Sequence, residues 1–297
     1  MRLAVEPLLP VDTSLAVALV VLLLVATLAA TFFRLSPDGS FGRAQEIVTA
    51  GLRAAVQLAA VSAVIGWAVR HTAALIGFLL LMLAVAARTA GRRITTNGTW
   101  WWAALPIAAP VVPTVVCLVA AGLVTVPGIA IVPVSGILIG GAMTATVLAG
   151  RRALDELDLR NGEVEAGLAL GFTERDARLE VARAATSDAL LPALDQTRTV
   201  GLVTLPGAFV GMLLGGASPF MAGAVQLFVL IALLAVEAIA IALTLELAAR
   251  GTIHRHAERE PQPLRRSPTS WTPRFTDPRP STRSTGRRWR RGGPRGR

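Results

Sequence analysis

One charged stretch, residues 150–198, interrupts a chain otherwise built of apolar runs, and this pattern limits what the chain can fold into. A helix needs about 20 apolar residues to cross the hydrocarbon core of a bilayer. Runs near that length lie at 15–33, 44–69, 72–87, 100–124, 127–149, 199–217 and 221–249. Only 16% of the residues are charged, against about 25% in a soluble domain. Helices satisfy their own backbone hydrogen bonds in lipid, so the expected fold is an all-α integral membrane protein with about seven transmembrane helices. The run at 15–33 exceeds the 7–15 apolar residues of a typical signal peptide and no clear A-x-A site follows, so it is read as a span.

Arginine placement orients these spans. Arg34 and Arg43 follow the first, and Arg88, Arg92 and Arg93 follow the third. Arg151, Arg152, Arg160, Arg175, Arg178 and Arg183 follow the fifth, and Arg250 ends the seventh. The intervening flanks hold Arg2, Arg70 and little else. Every second flank is arginine-rich, which predicts an outside N-terminus, a cytoplasmic C-terminus and a cytoplasmic segment at 150–198. Trp100, Trp101 and Trp102 are placed as an interfacial belt.

The net charge of +10 belongs to one end of the chain. Residues 251–297 hold 13 Arg against Glu258, Glu260 and Asp277, whereas residues 1–250 balance. Domain organisation follows: a membrane domain over 1–250 and an Arg/Pro-rich tail over 251–297, poor in aliphatic residues and expected to be disordered. Its arginines suit anionic membrane lipid, and charge alone predicts no specific nucleic-acid partner. The chain has no lysine. A phosphate-binding P-loop needs one, so this chain cannot be a Walker-type ATPase by itself. One cysteine, Cys117, excludes an internal disulfide and a thiolate metal cluster.

Within the interruption, 163–170 reads as a short helix that stops at Gly171, a suitable residue for a left-handed cap. Thr173 opens a second helix with Asp176 three positions on, and Glu174 and Arg178 are spaced for an i,i+4 pair. The small residues Ala166, Gly167, Ala169 and Gly171 let another surface approach closely. The stretch "EAGLALG" resembles the coupling helix of ABC-transporter permeases. Four segments, "RAAVQL" (53–58), "PVSGILIGGAM" (133–143), "EAGLALGFT" (165–173) and "LLPALDQTRTVGLVTLPGAFVGMLLGGASP" (190–219), together resemble the iron-export permease family of ABC transporters, the FetB-like proteins. Plant relatives in that family are associated with aluminium tolerance. The resemblance covers roughly residues 12–250.

It implies a permease that binds no cofactor itself and works with a separate ATP-binding subunit, which supplies ATP and Mg. It also implies a permease homodimer, a transported metal ion, iron above others, and export through the cell membrane. Glu163, Glu165, Ala166, Gly167, Gly171, Phe172 and Thr173 become the ATPase-coupling residues. One departure is Gly140-Gly141-Ala142-Met143, where the family pattern has an asparagine in place of Gly141.

Several residues inside the spans carry two readings. Gly207, Gly211 and Gly215 repeat every four positions, as do Gly136 and Gly140, which suits packing within one chain or between two chains. Pro206-Gly207 breaks a helix at membrane depth, either as a hinge or as plain packing. Arg53 and Gln57 lie one turn apart in the second run, and Gln226 and Glu237 lie in the seventh. A charge at depth costs about 2.5–3.5 kcal/mol on insertion scales and faces protein or water. Arg53 and Glu237 either pair with each other or line a cation pathway with Gln57 and Gln226, whose oxygens suit a hard metal ion. The rival functions are an ion-gradient carrier or channel, which has no use for a docking element at 163–173, and a membrane scaffold acting through its tail.

Overall fold

The computed structural model describes residues 13–35, 42–68, 70–122 and 130–255. The helices are α1 (Thr13–Phe32), α2 (Gly42–Ala68), α3 (Thr72–Ile94), α4 (Ala104–Ala120), α5 (Ile131–Leu159), α6 (Asn161–Ala169), α7 (Glu174–Ser187), α8 (Leu191–Thr199), α9 (Gly207–Leu214) and α10 (Pro219–Ala249). Short 3₁₀ turns at Gly98–Ala103 and Asp188–Leu190 precede α4 and α8. No strand is present among the described residues, only an isolated bridge between Val200 and Thr204.

Among the described residues, six helical segments are long and apolar enough to cross a membrane: α1, α2, α3, the 3₁₀ turn with α4, α5 and α10. The expected single span at 199–217 does not form. Chain 200–206 is non-helical, and α9 has 8 residues, about 12 Å of helix against a hydrocarbon core of about 30 Å. The residues explain the break. Gly201 adopts φ 84°, which L side chains resist. Pro206 has no N–H and forces Leu205 into extended backbone, so a helix can restart only after it, with Pro206 as the cap of α9.

α5 and α10 run parallel. A Cβ on Gly141 of α5 would meet Leu233 and Glu237 of α10, and further along both helices Asp155 pairs with Arg255. The chain between them therefore returns along the bundle, and it does so through α8, the non-helical stretch and α9 instead of one helix.

The core is formed by α3, α4, α5 and α10, with α10 packed most extensively on α5. Leu75, Ile107, Leu138, Leu230 and Val236 are its largest fully buried apolar side chains. Small residues set the close approaches. Gly91 of α3 lies against the Trp100 carbonyl, where a Cβ would overlap backbone. Pro110 and Pro113 lie inside α4, where the missing N–H groups leave carbonyls one turn earlier without their helical partners. α1 and α2 form a hairpin that packs mainly on itself.

The tail begins later than its composition predicts. Ile253 is 2% exposed, Arg255 pairs with Asp155, and the His254 carbonyl accepts from Thr95 Oγ1 at 2.8 Å and Asn97 Nδ2 at 2.6 Å. Residues 251–255 are therefore part of the bundle. The tail from 256 onward lies outside the described residues.

Candidate functional site: the charged element and the polar seam

The charged element is built on α5, which continues past its apolar part to Leu159. Arg160 then turns the chain. Its guanidinium bonds to Glu163 and to Glu156 at 3.0 Å, and this holds the Glu163 carboxyl below the usual carboxylate range. Asn161 Nδ2 donates to Glu165 at 2.9 Å. α6 ends at Leu170, and Gly171 takes φ 93°. The Phe172 N–H then donates back to the Gly167 carbonyl at 3.0 Å and the Gly171 N–H to Leu168 at 3.0 Å, closing a glycine-terminated helix end. Thr173 Oγ1 accepts the Asp176 N–H at 3.2 Å, and Arg178 pairs with Glu174 at 2.7 Å. The stop at Gly171, the Thr173 cap and the Glu174–Arg178 pair are as expected, but the first helix begins at Asn161, and Gly167, expected to admit another surface, is buried under α7.

Gly167 has a clear role. A Cβ there would lie 3.1 Å from that of Ala177, so glycine lets α6 rest directly on α7. Val164, Ala177 and Val181 form the small core between them. The same fold leaves Leu170 80% exposed and Phe172 54% exposed at the tip. Glu163, Glu165, Ala166, Gly171 and Thr173 are also exposed, with Glu163 at the opposite end of α6 from Leu170. Two apolar side chains thus stand exposed at the turn between α6 and α7.

The base of the element is clamped to the bundle. α7 packs on α5 and α10. Arg175 makes a two-pronged pair with Glu246 of α10, Nε at 2.8 Å and Nη2 at 2.7 Å. That contact raises the Arg175 pKa above its ordinary value. Glu246 also receives Arg250 at 2.5 Å. Sequence reasoning missed this clamp, because Arg175 and Glu246 are 71 residues apart and each reads as an ordinary surface charge.

The candidate residues inside the spans are not brought together. Arg53 and Gln57 are exposed on α2, and no ion pair joins Arg53 to Glu237 among the described residues. The expected pairing fails because α2 packs on α1 and α3, whereas Glu237 faces α5. Glu237 is 9% exposed. It lies over Gly141, where a Cβ would come within 2.6 Å of its Oε1. Gln226 is also buried, and its Oε1 has no hydrogen-bond partner; neither do Ser135 Oγ and Thr146 Oγ1 of α5. Gln226 and Glu237, about three turns apart on one face of α10, make a sparse polar seam, whereas Ser135 and Thr146 lie on a different face of α5 from Gly141. Among the described residues, no cluster of three or more His, Cys, Asp or Glu could hold a metal ion.

Gln226 also lines a cavity of about 170 Å³ between α10 and the break, with Val200, Gly201, Leu205, Pro206 and Phe209. The glycine ridges are mostly open. Gly136 meets Met82 of α3 at 3.2 Å, Gly215 meets only its own helix, and Gly140, Gly207 and Gly211 meet nothing within 4 Å.

The model of the family described as "Uncharacterised protein family (UPF0014)" matches residues 14–253. The chain belongs to this family. The UPF0014 membrane protein YjkA of Bacillus subtilis (strain 168) is 30% identical over 210 residues, covering 69% of this chain and 83% of that protein. Protein ALUMINUM SENSITIVE 3 of Arabidopsis thaliana is 42% identical over 99 residues, 33% of this chain and 36% of the plant protein. The chain thus matches about a third of the plant relative's length. The probable iron export permease protein FetB of Escherichia coli (strain K12) is 31% identical over 125 residues, covering 41% and 47% of the two chains. No solved structure matches. With the six apolar helices, the UPF0014 match makes this a multi-pass membrane protein.

Proposed function

We propose that this UPF0014 protein is the transmembrane permease subunit of an ATP-driven ABC transporter. The single observation that carries the reading is the apolar tip of Leu170 and Phe172, exposed on an element whose base is clamped to two spanning helices. On this reading the tip inserts into an apolar groove on a cytoplasmic ATP-binding subunit, and the acids around it meet a basic rim. Motion of that subunit enters α6, passes to α7 through the Gly167–Ala177 contact, and reaches α10 through Arg175 and Glu246. The partner binds ATP and Mg and hydrolyses the nucleotide; this chain, lacking lysine, supplies the pathway. Two copies of each subunit form the assembly. The cargo is a metal ion moved outward, with iron favoured by the name of the E. coli relative, a probable iron export permease protein.

The test reconstitutes the chain with its ATP-binding subunit in proteoliposomes and follows iron flux. Flux should require ATP. The L170D/F172D double variant should lose both the bound subunit and the flux while keeping its melting temperature. Flux that proceeds without ATP, or a double variant that still binds the subunit, overturns the reading.

A further inference from the structure

The end of α3 carries two cations that the described chain leaves without an acceptor. Arg88 and Arg92 are exposed and lie one turn apart on α3. Both guanidiniums sit beside the same indole, that of Trp100, at 5.8 Å and 5.3 Å from the ring centroid. Neither makes a hydrogen bond or ion pair among the described residues. The ring attracts their charge but offers no oxygen acceptor, and each guanidinium has five N–H donors. Two like charges at this helical spacing also repel each other. An anion beside the ring meets both needs at once.

Two features hold the ring in place. Gly91, next to Arg92, lets the 98–103 turn lie directly on α3; a Cβ there would fall 2.0 Å from the Trp100 carbonyl oxygen. Asn97 caps that turn, its Oδ1 accepting the Thr99 N–H at 3.0 Å. Trp101 is exposed and stacks on Trp102 at 4.2 Å, so the aromatic surface continues along the turn.

The depth suits a headgroup. Arg88 lies about 24 Å and Arg92 about 30 Å along α3 from Thr72. A hydrocarbon core about 30 Å thick therefore ends near the two arginines. Leu81 and Val85, two turns and one turn before Arg88, are exposed on the same face of α3. The face that meets acyl chains thus leads directly to the two cations. This end of α3 is also the end of the bundle that bears the charged element: Ile94 packs on Gly150 of α5, and Thr95 bonds the His254 carbonyl just past α10.

We infer that Arg88, Arg92 and Trp100 form a binding site for the phosphate of an anionic phospholipid. The phosphodiester accepts from both guanidiniums, which present planar forks of donors suited to phosphate, and the acyl chains run along Leu81 and Val85. A zwitterionic headgroup fits less well, because its own cation would meet two guanidiniums. The acidic surface of a soluble protein reaches these residues only by displacing headgroups. Basic pockets beside spanning helices are a known form of lipid recognition, and this one is separate from the basic tail. It needs only a membrane-spanning chain and stands whether or not the transporter reading does.

The test follows amide exchange over 96–103 in the full chain, where lipid on the tail is not read. The protein is placed in nanodiscs of phosphatidylcholine alone, or of equal parts phosphatidylcholine and phosphatidylglycerol. Phosphatidylglycerol should slow exchange in this turn severalfold. R88Q/R92Q should abolish that difference, and R88Q or R92Q alone should reduce it. R88K/R92K, which keeps the charge without the planar fork, should retain part of it. R93Q/R183Q takes the same charge from exposed arginines outside the site and should retain all of it. Protection that persists in R88Q/R92Q and both single variants overturns the site. Equal protection by inorganic phosphate in phosphatidylcholine discs shows a general anion site and overturns the lipid assignment. Protection by an ATP-binding subunit but not by phosphatidylglycerol gives the face to a protein and overturns it too.

Discussion

Replacing Gly141 with alanine tests the placement of Glu237 directly. Gly140 and Gly141 are neighbours in α5, and alanine at either gains about 1 kcal/mol of helix propensity over glycine. Their surroundings differ. A Cβ at 140 meets nothing within 4 Å, whereas one at 141 overlaps Leu233 and comes within 2.6 Å of Glu237 Oε1. Overpacking of this kind costs about 1–3 kcal/mol. The obstructing atoms are side-chain ends that can shift, so about 2 kcal/mol is expected. Propensity is common to both variants, and the difference between them isolates the clash. G140A should be as stable as the parent or up to about 1 kcal/mol more stable, with G141A about 2 kcal/mol below G140A. In detergent-solubilised protein that gap is about 4–8 °C in Tm by scanning fluorimetry. Adding E237A to G141A should recover part of the loss, since contacting residues are energetically coupled. Equal melting temperatures for G140A and G141A would show that Glu237 does not lie over Gly141, and the polar seam would lose its contact with α5.

Three other outcomes can be checked. The charge reversals R175E and E246R should each leave ATP hydrolysis by the reconstituted complex intact but cut ATP-driven flux, and the double swap should restore flux; single variants with normal flux would remove the clamp from the transmission path. The T173A variant removes the side-chain cap of α7 and should destabilise the element by about 1 kcal/mol, seen as faster amide exchange in 174–178. Glu163 has a lowered carboxyl pKa because Arg160 bonds its ionised form. Its contribution is therefore present at neutral pH and lost as the pH falls below its ordinary value of 4.5 through the lower folded value. E163Q should melt below the parent at pH 7, and the gap should narrow as the pH is taken below 4.5.

Local features of the chain were legible in its residues. The stop at Gly171, the Thr173 cap and the Glu174–Arg178 pair depend only on neighbours within one turn, so spacing alone determined them. The crossing segments were legible for a similar reason: solvation by lipid depends on the length and polarity of a run. The exception is 199–217, where apolar composition promised a span but Gly201 and Pro206 break the backbone. Hydropathy has no term for the conformational preferences of those two residues.

By itself, then, the sequence determined a polytopic helical protein with one charged element turned out of the bundle. The tertiary structure alone decided which faces meet: Arg175 with Glu246, Gly141 under Glu237, and Arg53 left without the acid it was expected to find. The physical reason lies in the solvent. In water a helix marks its buried side with an apolar stripe, whereas helices in lipid are apolar all round and pack by shape and scattered polar contacts. Those contacts join residues far apart in the chain, and only the assembled bundle brings them into reach.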